Sequence, residues 1–163
     1  MKTIVVTGTP GTGKTTLSKK IAKEFKYYYL DVNKLISGKN LSEGYDKKRR
    51  TKIIDVKKLN KALIKEIIAI KKHKANGIVI DSHLSHYLPR RYVGKCIVTK
   101  CCIKGLNKRL MKKKFSKKKI RENLQAEIFD LCLNEAKERK HEVLVVDTTK
   151  GFNISNVGRR LKW

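Results

Sequence analysis

Acidic residues are scarce in this chain of 163 residues, which has 14 Asp and Glu against 41 Lys and Arg. The formal net charge at pH 7 is therefore +27, an excess that bears on partners and solubility and not on the fold. Biased coding could account for much of the lysine, but coding bias or thermal adaptation would tend to raise glutamate together with lysine. We interpret the charge as a surface that faces a polyanion, with compositional drift as the alternative.

Long apolar runs and low-complexity segments are also missing. The longest apolar runs, at 78–80 and 143–146, are far shorter than the ~20 residues of a membrane-spanning helix. The 2 prolines and 10 glycines exclude a tract rich in either residue, and no secretory signal opens the chain. At roughly 100–200 residues per domain, the sequence predicts one soluble, cytoplasmic domain over residues 1–163 that has no membrane partner.

Cysteine is equally limited. The chain has Cys96, Cys101, Cys102 and Cys132, with no C-x-x-C pair among them. A zinc site needs closely spaced ligand pairs with histidine partners, and the four histidines do not supply that spacing. A chain of this length without a secretion signal needs no disulfide framework. We therefore expect free thiols that are buried or half-buried.

Strand-like and helix-like segments alternate along the chain. The predicted strands are residues 3–7, 27–30, 77–81, 96–101 and 142–147, and the predicted helices are 15–25, 32–36, 56–72, 104–114, 120–139 and 154–161. Residues 37–52 are polar without a period and are expected to form a loop or mobile insertion, and 115–119 a basic break. Alternation of this kind predicts an α/β fold, with a five-stranded parallel sheet and helices on both faces.

The clearest motif is G-T-P-G-T-G-K-T at residues 8–15, which matches G-x-x-x-x-G-K-[ST] without a mismatch. Its glycines are Gly8, Gly11 and Gly13. They let successive backbone N–H groups curl around phosphate oxygens, and the helix that follows adds its N-terminal dipole. Lys14 is expected to reach the β- and γ-phosphates and the Thr15 hydroxyl to ligate Mg²⁺. The motif follows a strand and opens a helix, which predicts a P-loop that binds a nucleoside triphosphate with Mg²⁺.

A second acid should hold the magnesium from the end of a neighbouring strand. Asp81 closes the apolar run 78–80 and fits this role, while Asp147 closes 143–146 and is the alternative. His83 follows Asp81 by two residues and is predicted to orient a water or the substrate near the γ-phosphate. The alternative interpretation makes His83 a capping or loop residue.

The remaining sequence narrows the class of P-loop enzyme. No N-K-x-D-type element for base recognition is visible, which argues against a GTPase, and the length excludes a large motor or transporter ATPase. A small kinase carries two inserts, one that holds the acceptor and one that closes over the triphosphate. The chain offers both, as an NMP-binding insert at about 31–54 and a basic lid at about 112–122.

Five segments together carry a resemblance to a known family. They are residues 8–16 (GTPGTGKTT), 44–46 (GYD), 81–83 (DSH), 89–91 (PRR) and 123–129 (NLQAEIF). This pattern resembles the adenylate kinase isoenzyme 6 type, the family of the coilin-interacting nuclear ATPase and its archaeal relatives, over residues 3–147. The D-x-H and N-x-Q-x-E-I-F elements are narrower signals than the P-loop.

The resemblance implies a nucleoside monophosphate kinase fold, adenylate kinase activity (ATP + AMP giving two ADP) and ATPase activity. It also implies a role in maturation of 16S rRNA and the small ribosomal subunit, with a ribosomal protein of the S-eleven family and pre-rRNA as partners. The leading alternative is an ATP-switched ribosome-assembly factor with little kinase activity. A third candidate, a nucleic-acid-binding protein with a vestigial nucleotide site, is disfavoured because Lys14, Thr15 and Asp81 are all present.

The candidate site residues follow from the motif and the resemblance. The predicted catalytic residues are Lys14, Asp81, His83 and Arg109; the predicted nucleotide-binding residues are Gly8, Gly11, Gly13, Lys14, Thr15, Thr16 and Lys113; and the predicted metal ligands are Thr15 and Asp81. Arg91 is a further candidate for stabilising charge, and Arg109 is alternatively a surface residue of its helix. The family usually has Arg-Gly-Tyr where this chain has Lys-Lys-Phe at 113–115. Lys58 stands where relatives can carry Arg, with Arg49 and Arg50 nearby.

Overall fold

The computed structural model describes residues 1–47 and 51–161. Its strands are β1 (Lys2–Thr7), β2 (Tyr28–Asp31), β3 (Ser42–Asp46), β4 (Thr51–Ile54), β5 (Gly77–Asp81), β6 (Lys95–Lys100) and β7 (Val143–Asp147). Its helices are α1 (Lys14–Phe25), α2 (Val32–Gly38), α3 (Val56–Lys72), α4 (Ile103–Lys112), α5 (Lys117–Ile128), α6 (Leu131–Glu138) and α7 (Ile154–Arg160). Arg49 and Arg50 lie outside the described residues. Across the two described ranges, no helix is both long and apolar enough to cross a membrane.

Five parallel strands form the central sheet in the order β2-β5-β1-β6-β7, which confirms the predicted fold class. β1 lies at the centre, and its residues after Lys2 are buried, as expected for a parallel strand that helices cover on both faces. The chain builds one side of the sheet with β2 and β5 and the other side with β6 and β7. The strand order thus reverses at β1, and a ligand is expected in the crevice beyond the carboxyl ends of the strands at such a point.

Helices cover both faces of the sheet and enclose two apolar cores. β5 shows the alternation that divides them, because Ile78 and Ile80 join one core and Val79 joins the other. The first core contains Leu59 and Leu63 of α3. The second contains residues of α1 and α7. A third, smaller cluster contains Leu106, Leu110, Phe115, Ile120 and Leu124. This cluster holds α4 against α5 beside the carboxyl end of β6.

A β-hairpin occupies the segment for which the sequence predicts a loop over 37–52. β3 and β4 pair in antiparallel register, with a shift between Ser42 and Gly44. The loop prediction is wrong here because β3 is exposed or half-exposed throughout, so no apolar alternation marks it as a strand. β3 is a strand because it pairs with β4. This pairing is a contact between two segments and not a local propensity.

The helices after β6 end at other positions than predicted. The predicted helix 104–114 ends at Lys112, and the predicted helix 120–139 begins earlier, at Lys117, and is divided into α5 and α6. Ser116 caps α5 by accepting a hydrogen bond from the Lys119 backbone N–H at 3.2 Å. Asp130 divides the two helices with a left-handed φ of 52°. Its carboxylate forms an ion pair with Lys100 at 2.5 Å, a tertiary contact that helical periodicity does not reveal.

The four cysteines are free thiols, as predicted. Cys96 and Cys101 are buried and Cys132 is half-buried, whereas Cys102 is exposed, contrary to the expectation. Cys102 lies at the N-cap of α4, where its sulfur accepts a hydrogen bond from the Gly105 N–H at 3.3 Å. A capping position beside the exposed first turn of α4 explains its exposure.

The burial pattern of α3 yields a test of the fold. Leu63 is fully buried, whereas Ile68 on the same helix is 47% exposed. We expect Leu63→Ala to lower the free energy of unfolding by about 2–5 kcal/mol, because it leaves a cavity in the core. The matched control Ile68→Ala should lower it by less than about 1 kcal/mol. Urea unfolding followed by circular dichroism measures both values, and equal losses would contradict this packing.

Candidate active site

The P-loop joins β1 to α1 and has the shape that its glycines permit. Gly8, Gly11 and Gly13 have φ values of 139°, 93° and 86°. Residues that have a Cβ atom rarely adopt such positive φ values. A Cβ atom at Gly8 would lie 2.5 Å from the Thr99 Oγ1, and one at Gly11 would lie 2.9 Å from a methyl group of Leu106. The loop therefore requires glycine both for its conformation and for its close packing.

Lys14 is the first residue of α1, and its side chain turns back over the loop. Its ammonium donates hydrogen bonds to the backbone carbonyls of Gly8 at 2.9 Å and Thr9 at 3.0 Å. Desolvation in the crevice lowers the pKa of Lys14 from 10.5 to about 8, although Asp81 acts in the opposite direction. The ammonium is thus still mostly charged at pH 7 and is available to a phosphate.

Asp81 ends β5 and is only 5% exposed. The hydroxyl of Tyr29, on the neighbouring β2, donates to the Asp81 Oδ2 at 2.9 Å. Desolvation and this hydrogen bond raise the pKa of Tyr29, so the phenol keeps its proton and remains a donor. Tyr29 therefore fixes the orientation of the carboxylate toward the crevice.

Asp81 and Thr15 line the same central cavity of about 530 Å³, which also contains Lys14, His83, Lys113 and Lys119. A carboxylate and a hydroxyl are the oxygen ligands that Mg²⁺ accepts, and this ion usually binds through one or two carboxylates together with substrate phosphates and waters. Among the residues that the structure describes, no group of three or more His, Cys, Asp or Glu could hold a metal. The donor set fits a magnesium ion that arrives with a nucleotide.

Asp147, the alternative metal ligand, has a different local role. It is exposed at the end of β7, and its Oδ1 accepts a hydrogen bond from the Thr149 N–H at 2.7 Å. Hydrogen bonds from Thr149 lower the pKa of the Asp147 carboxyl. Asp147 thus stabilises its own turn, whereas Asp81, unlike Asp147, lines the same cavity as Thr15.

His83 lies in the loop after β5, on the wall of the central cavity. The ring is accessible from the crevice, yet desolvation by the surrounding protein, followed by the charge of Lys14, lowers the pKa of His83 well below 6.5. The ring is therefore neutral at pH 7. A neutral imidazole can accept a hydrogen bond from a water or a substrate hydroxyl.

Two further cavities adjoin the central one. The loop-side cavity, of about 510 Å³, is lined by Gly11, Gly13, Lys14, Thr16, Arg109 and Phe152, among others. The hairpin-side cavity, of about 560 Å³, is lined by Asn33, Ser37, Tyr45, Lys52, Ile54 and His83, among others. Lys113 lines both the loop-side and the central cavity, and His83 lines both the central and the hairpin-side cavity. The three cavities therefore lie side by side along one crevice and share parts of their walls.

Arg109 lies in the loop-side cavity, apart from Asp81 and His83. Its guanidinium donates to the Thr148 Oγ1 at 3.1 Å and to the Thr148 carbonyl at 2.6 Å. The Thr148 hydroxyl in turn donates to the Thr12 carbonyl in the P-loop at 2.7 Å. Arg109 therefore braces the loop after β7 against the P-loop, which the sequence did not indicate. The other arginine candidate, Arg91, has its guanidinium 5.0 Å from the centre of the Tyr92 ring.

Comparison with known proteins places the chain in a family. The family model described as "AAA domain" matches residues 4–130. The adenylate kinase isoenzyme 6 homolog of Dictyostelium discoideum is 33% identical over 163 residues, covering 98% of this chain and 90% of that protein. The homolog of Drosophila melanogaster is 36% identical over 135 residues, or 83% and 74% of the two chains. The chain belongs to the adenylate kinase isoenzyme 6 family.

This finding confirms the resemblance seen in the motifs, and the names of these relatives support a nucleotide kinase. A solved structure of a sugar kinase from Janibacter superposes on all of this chain and 94% of its own, with a TM-score of 0.66 and 17% identity. At that identity the likeness shows the fold alone.

The sequence did not predict one buried hydrogen-bond network. His86 is 1% exposed, with its Nδ1 2.7 Å from the Thr7 Oγ1 and its Nε2 2.9 Å from the Glu135 Oε2. The Tyr87 hydroxyl donates to the other Glu135 oxygen at 2.9 Å. The network ties the end of β1 to α6 and so fixes the wall of the central cavity. The residues around His86 in the sequence did not indicate this role.

The lowered pKa of Lys14 predicts how ATP affinity depends on pH. A bound phosphate favours the charged lysine and raises its pKa above the value of about 8 in the free site. Binding therefore takes up a proton above pH 8, and affinity should fall by up to roughly tenfold per pH unit between about pH 8 and 10. Fluorescence titration with a labelled ATP measures this. The control Lys14→Met should bind weakly at every pH without that decline, and a parallel decline would contradict the assignment.

The positions of Asp81 and His83 predict separable effects. Asp81→Asn should raise the Mg²⁺ concentration needed for half-maximal turnover by roughly tenfold, because an amide oxygen carries no charge for the cation.

His83→Ala should lower turnover by roughly 10²-fold or less with little change in ATP affinity, since an imidazole that orients a reactant acts on the rate. Magnesium titrations of steady-state turnover check both. Asp147→Asn is the matched control, and a magnesium effect there instead would transfer the role to β7.

Proposed function

We propose that this chain is a nucleoside monophosphate kinase that transfers the γ-phosphate of ATP to AMP and also hydrolyses ATP. The observation that carries the proposal is the row of adjacent cavities, in which Lys14, Asp81 and His83 share a central cavity that borders two others of about 510 and 560 Å³. Such an arrangement suits two nucleotides whose phosphates meet in the middle. The membership of the family supports the same reaction.

The loop-side cavity suits the ATP donor. The backbone N–H groups of the P-loop surround the β-phosphate position, and Lys14 and Lys113 supply positive charge. Phe152 and the stem of Arg109 give this cavity an apolar wall suited to a base. A magnesium ion, when bound, neutralises charge on the phosphates, and the Thr15 hydroxyl and Asp81 carboxylate are the groups that would hold it.

The hairpin-side cavity suits the acceptor. It lies between α2 and the β3–β4 hairpin, and its amide, hydroxyl and ammonium groups come from Asn33, Ser37, Tyr45 and Lys52. The Lys52 ammonium donates to the Ser37 Oγ at 2.8 Å, which orients both side chains across the cavity. The NMP-binding insert at about 31–54 is therefore proposed to hold AMP, with its phosphate directed toward His83.

Phosphoryl transfer needs alignment and charge neutralisation more than covalent chemistry from the protein. Lys14, Lys113 and Lys119 line the central cavity and oppose the charge of the transferred group. For transfer to AMP, the attacking phosphate oxygen is already ionised and requires no base. For hydrolysis, the neutral His83 is proposed to accept a hydrogen bond from the attacking water.

A second function is favoured by the net charge of +27. We propose that the chain also assists maturation of the small ribosomal subunit, by contacting pre-rRNA and a ribosomal protein of the S-eleven family. Binding of a polyanion to such a basic surface is expected to be tight at low salt and to weaken steeply as salt rises, because neutralised phosphates release counterions. The lid at about 112–122 lines the loop-side cavity with Lys112 and Lys113 and the central cavity with Lys113 and Lys119, and it is proposed to link the two functions.

AMP dependence of ATP turnover tests the first function. With saturating Mg-ATP, added AMP should accelerate ADP formation, since AMP is a better-positioned acceptor than water. Lys14→Ala should lower the rate by about 10²-fold or more while the melting temperature stays within about 2 °C, because the Lys14 ammonium bonds only to P-loop carbonyls and packs in no apolar core. Coupled-enzyme assays and thermal melts measure both.

Two outcomes would count against these assignments. Turnover of Lys14→Ala within about twofold of the parent would refute the P-loop as the reaction site. Indifference to AMP, combined with stimulation of ATP hydrolysis by small-subunit rRNA or the S-eleven-type protein, would leave the assembly function as the main one.

A further inference from the structure

A buried carboxylate from the lid side of the crevice holds the second residue of the P-loop. The Thr9 hydroxyl donates to the Glu127 Oε2 at 2.6 Å. Thr9 is 1% exposed and Glu127, on the last turn of α5, is 4% exposed. The residues are 118 positions apart in the sequence, so this bond joins the start of the fold to the segment that follows β6.

Glu127 is itself fixed from several directions. Its Oε1 accepts a hydrogen bond from the Cys101 N–H at 3.0 Å and lies 2.9 Å from the Lys100 ammonium. The same ammonium donates to the Glu127 carbonyl at 3.0 Å and pairs with Asp130 at 2.5 Å. The carboxylate is therefore paired and oriented by the carboxyl end of β6 and by the turn between α5 and α6.

The backbone of Thr9 connects this constraint to the catalytic lysine, Lys14. Its carbonyl accepts hydrogen bonds from the Lys14 ammonium at 3.0 Å, the Thr12 Oγ1 at 2.7 Å and the Thr12 N–H at 3.2 Å. The rotation of the Thr9 peptide thus sets the position of Lys14 and the closure of the turn. Because Glu127 holds the Thr9 side chain, it limits that rotation.

We propose that Glu127 is a positioning residue for the ATP site, which acts through the Thr9 hydroxyl to preorganise the P-loop. Hydrogen bonds to a buried, ionised acceptor are stronger than neutral ones, and a loop that is ordered before binding loses less conformational entropy when phosphate arrives. The part that concerns turnover depends on the proposed kinase function, whereas the part that concerns ATP affinity does not.

The bond also gives α5 a fixed point. Lys119 and Asn123, on the first two turns of α5, line the central cavity, and Glu127 anchors the C-terminal end of the same helix to the P-loop. The wall that α5 contributes to the cavity and the P-loop are thereby held in a defined relation. Loss of the Thr9–Glu127 bond should therefore weaken ATP binding more than AMP binding, because the acceptor cavity is built from α2 and the hairpin.

The experiment compares four variants of the full chain with the parent. Thr9→Val removes the hydroxyl with little change of shape, Thr9→Ser keeps it, Glu127→Gln removes the charge, and the double variant Thr9→Val/Glu127→Gln closes a thermodynamic cycle. Glu138→Gln, at an exposed glutamate of α6, is the matched control for the loss of one negative charge. The dissociation constant for a fluorescent ATP analogue with Mg²⁺, the KM values for ATP and AMP, and the melting temperature are measured for each.

We expect Thr9→Val and Glu127→Gln each to raise the dissociation constant for ATP by roughly tenfold. The KM for ATP should rise accordingly with the KM for AMP unchanged, and Thr9→Ser and Glu138→Gln should stay within about twofold of the parent. The double variant should bind ATP about as weakly as the weaker single variant, because Thr9→Val removes and Glu127→Gln weakens the same bond.

Three results would overturn the proposal. They are unchanged ATP affinity in Thr9→Val and Glu127→Gln despite a lower melting temperature, multiplicative effects in the double variant, or equal increases in the KM values for ATP and AMP. Absence of ADP formation from ATP and AMP by the parent would refute the kinase function alone, since the binding measurements do not require turnover.

Discussion

The contact between the Lys14 ammonium and the carbonyls of Gly8 and Thr9 is the interaction on which the rest of the site depends. It requires a backbone that turns its carbonyls inward, and such a turn requires glycine at positions with positive φ. Burial of the ammonium makes the charge costly unless a phosphate or a carbonyl accompanies it. The loop is thus arranged so that an incoming phosphate can replace the carbonyls and meet the same cation.

The sheet topology determines what surrounds this contact. Because the strand order reverses at β1, the ends of β5 and β6 lie on either side of the P-loop. The end of β5 brings Asp81 and His83, and the end of β6 brings Lys100 and the start of α4. The two flanking cavities draw their walls from opposite halves of the fold, the loop-side one from Arg109 and Thr148 and the hairpin-side one from Asn33 and Tyr45.

Several of the few acidic residues in this basic chain are held in place by hydrogen bonds. Of the acids that the structure describes, only Asp81 and Glu127 are buried, and each accepts a hydrogen bond from a hydroxyl, Tyr29 and Thr9 respectively. Glu135 joins His86 and Tyr87 in the same manner. Buried carboxylates such as Asp81 and Glu127 are stable only when they are paired and hydrogen-bonded. The lysines of the lid, by contrast, retain access to solvent or to a polyanion.

The sequence by itself determined the five parallel strands, the P-loop, the acid at the end of β5 and the family, because these depend on local patterns of apolar residues and glycines that occur within a few positions. Only the tertiary structure decided the β3–β4 hairpin, the break at Asp130, the bracing role of Arg109 and the bond between Thr9 and Glu127. Each of these is a contact between residues far apart in the chain. The energy of such a contact comes from burial and from pairing with a partner that no local periodicity identifies.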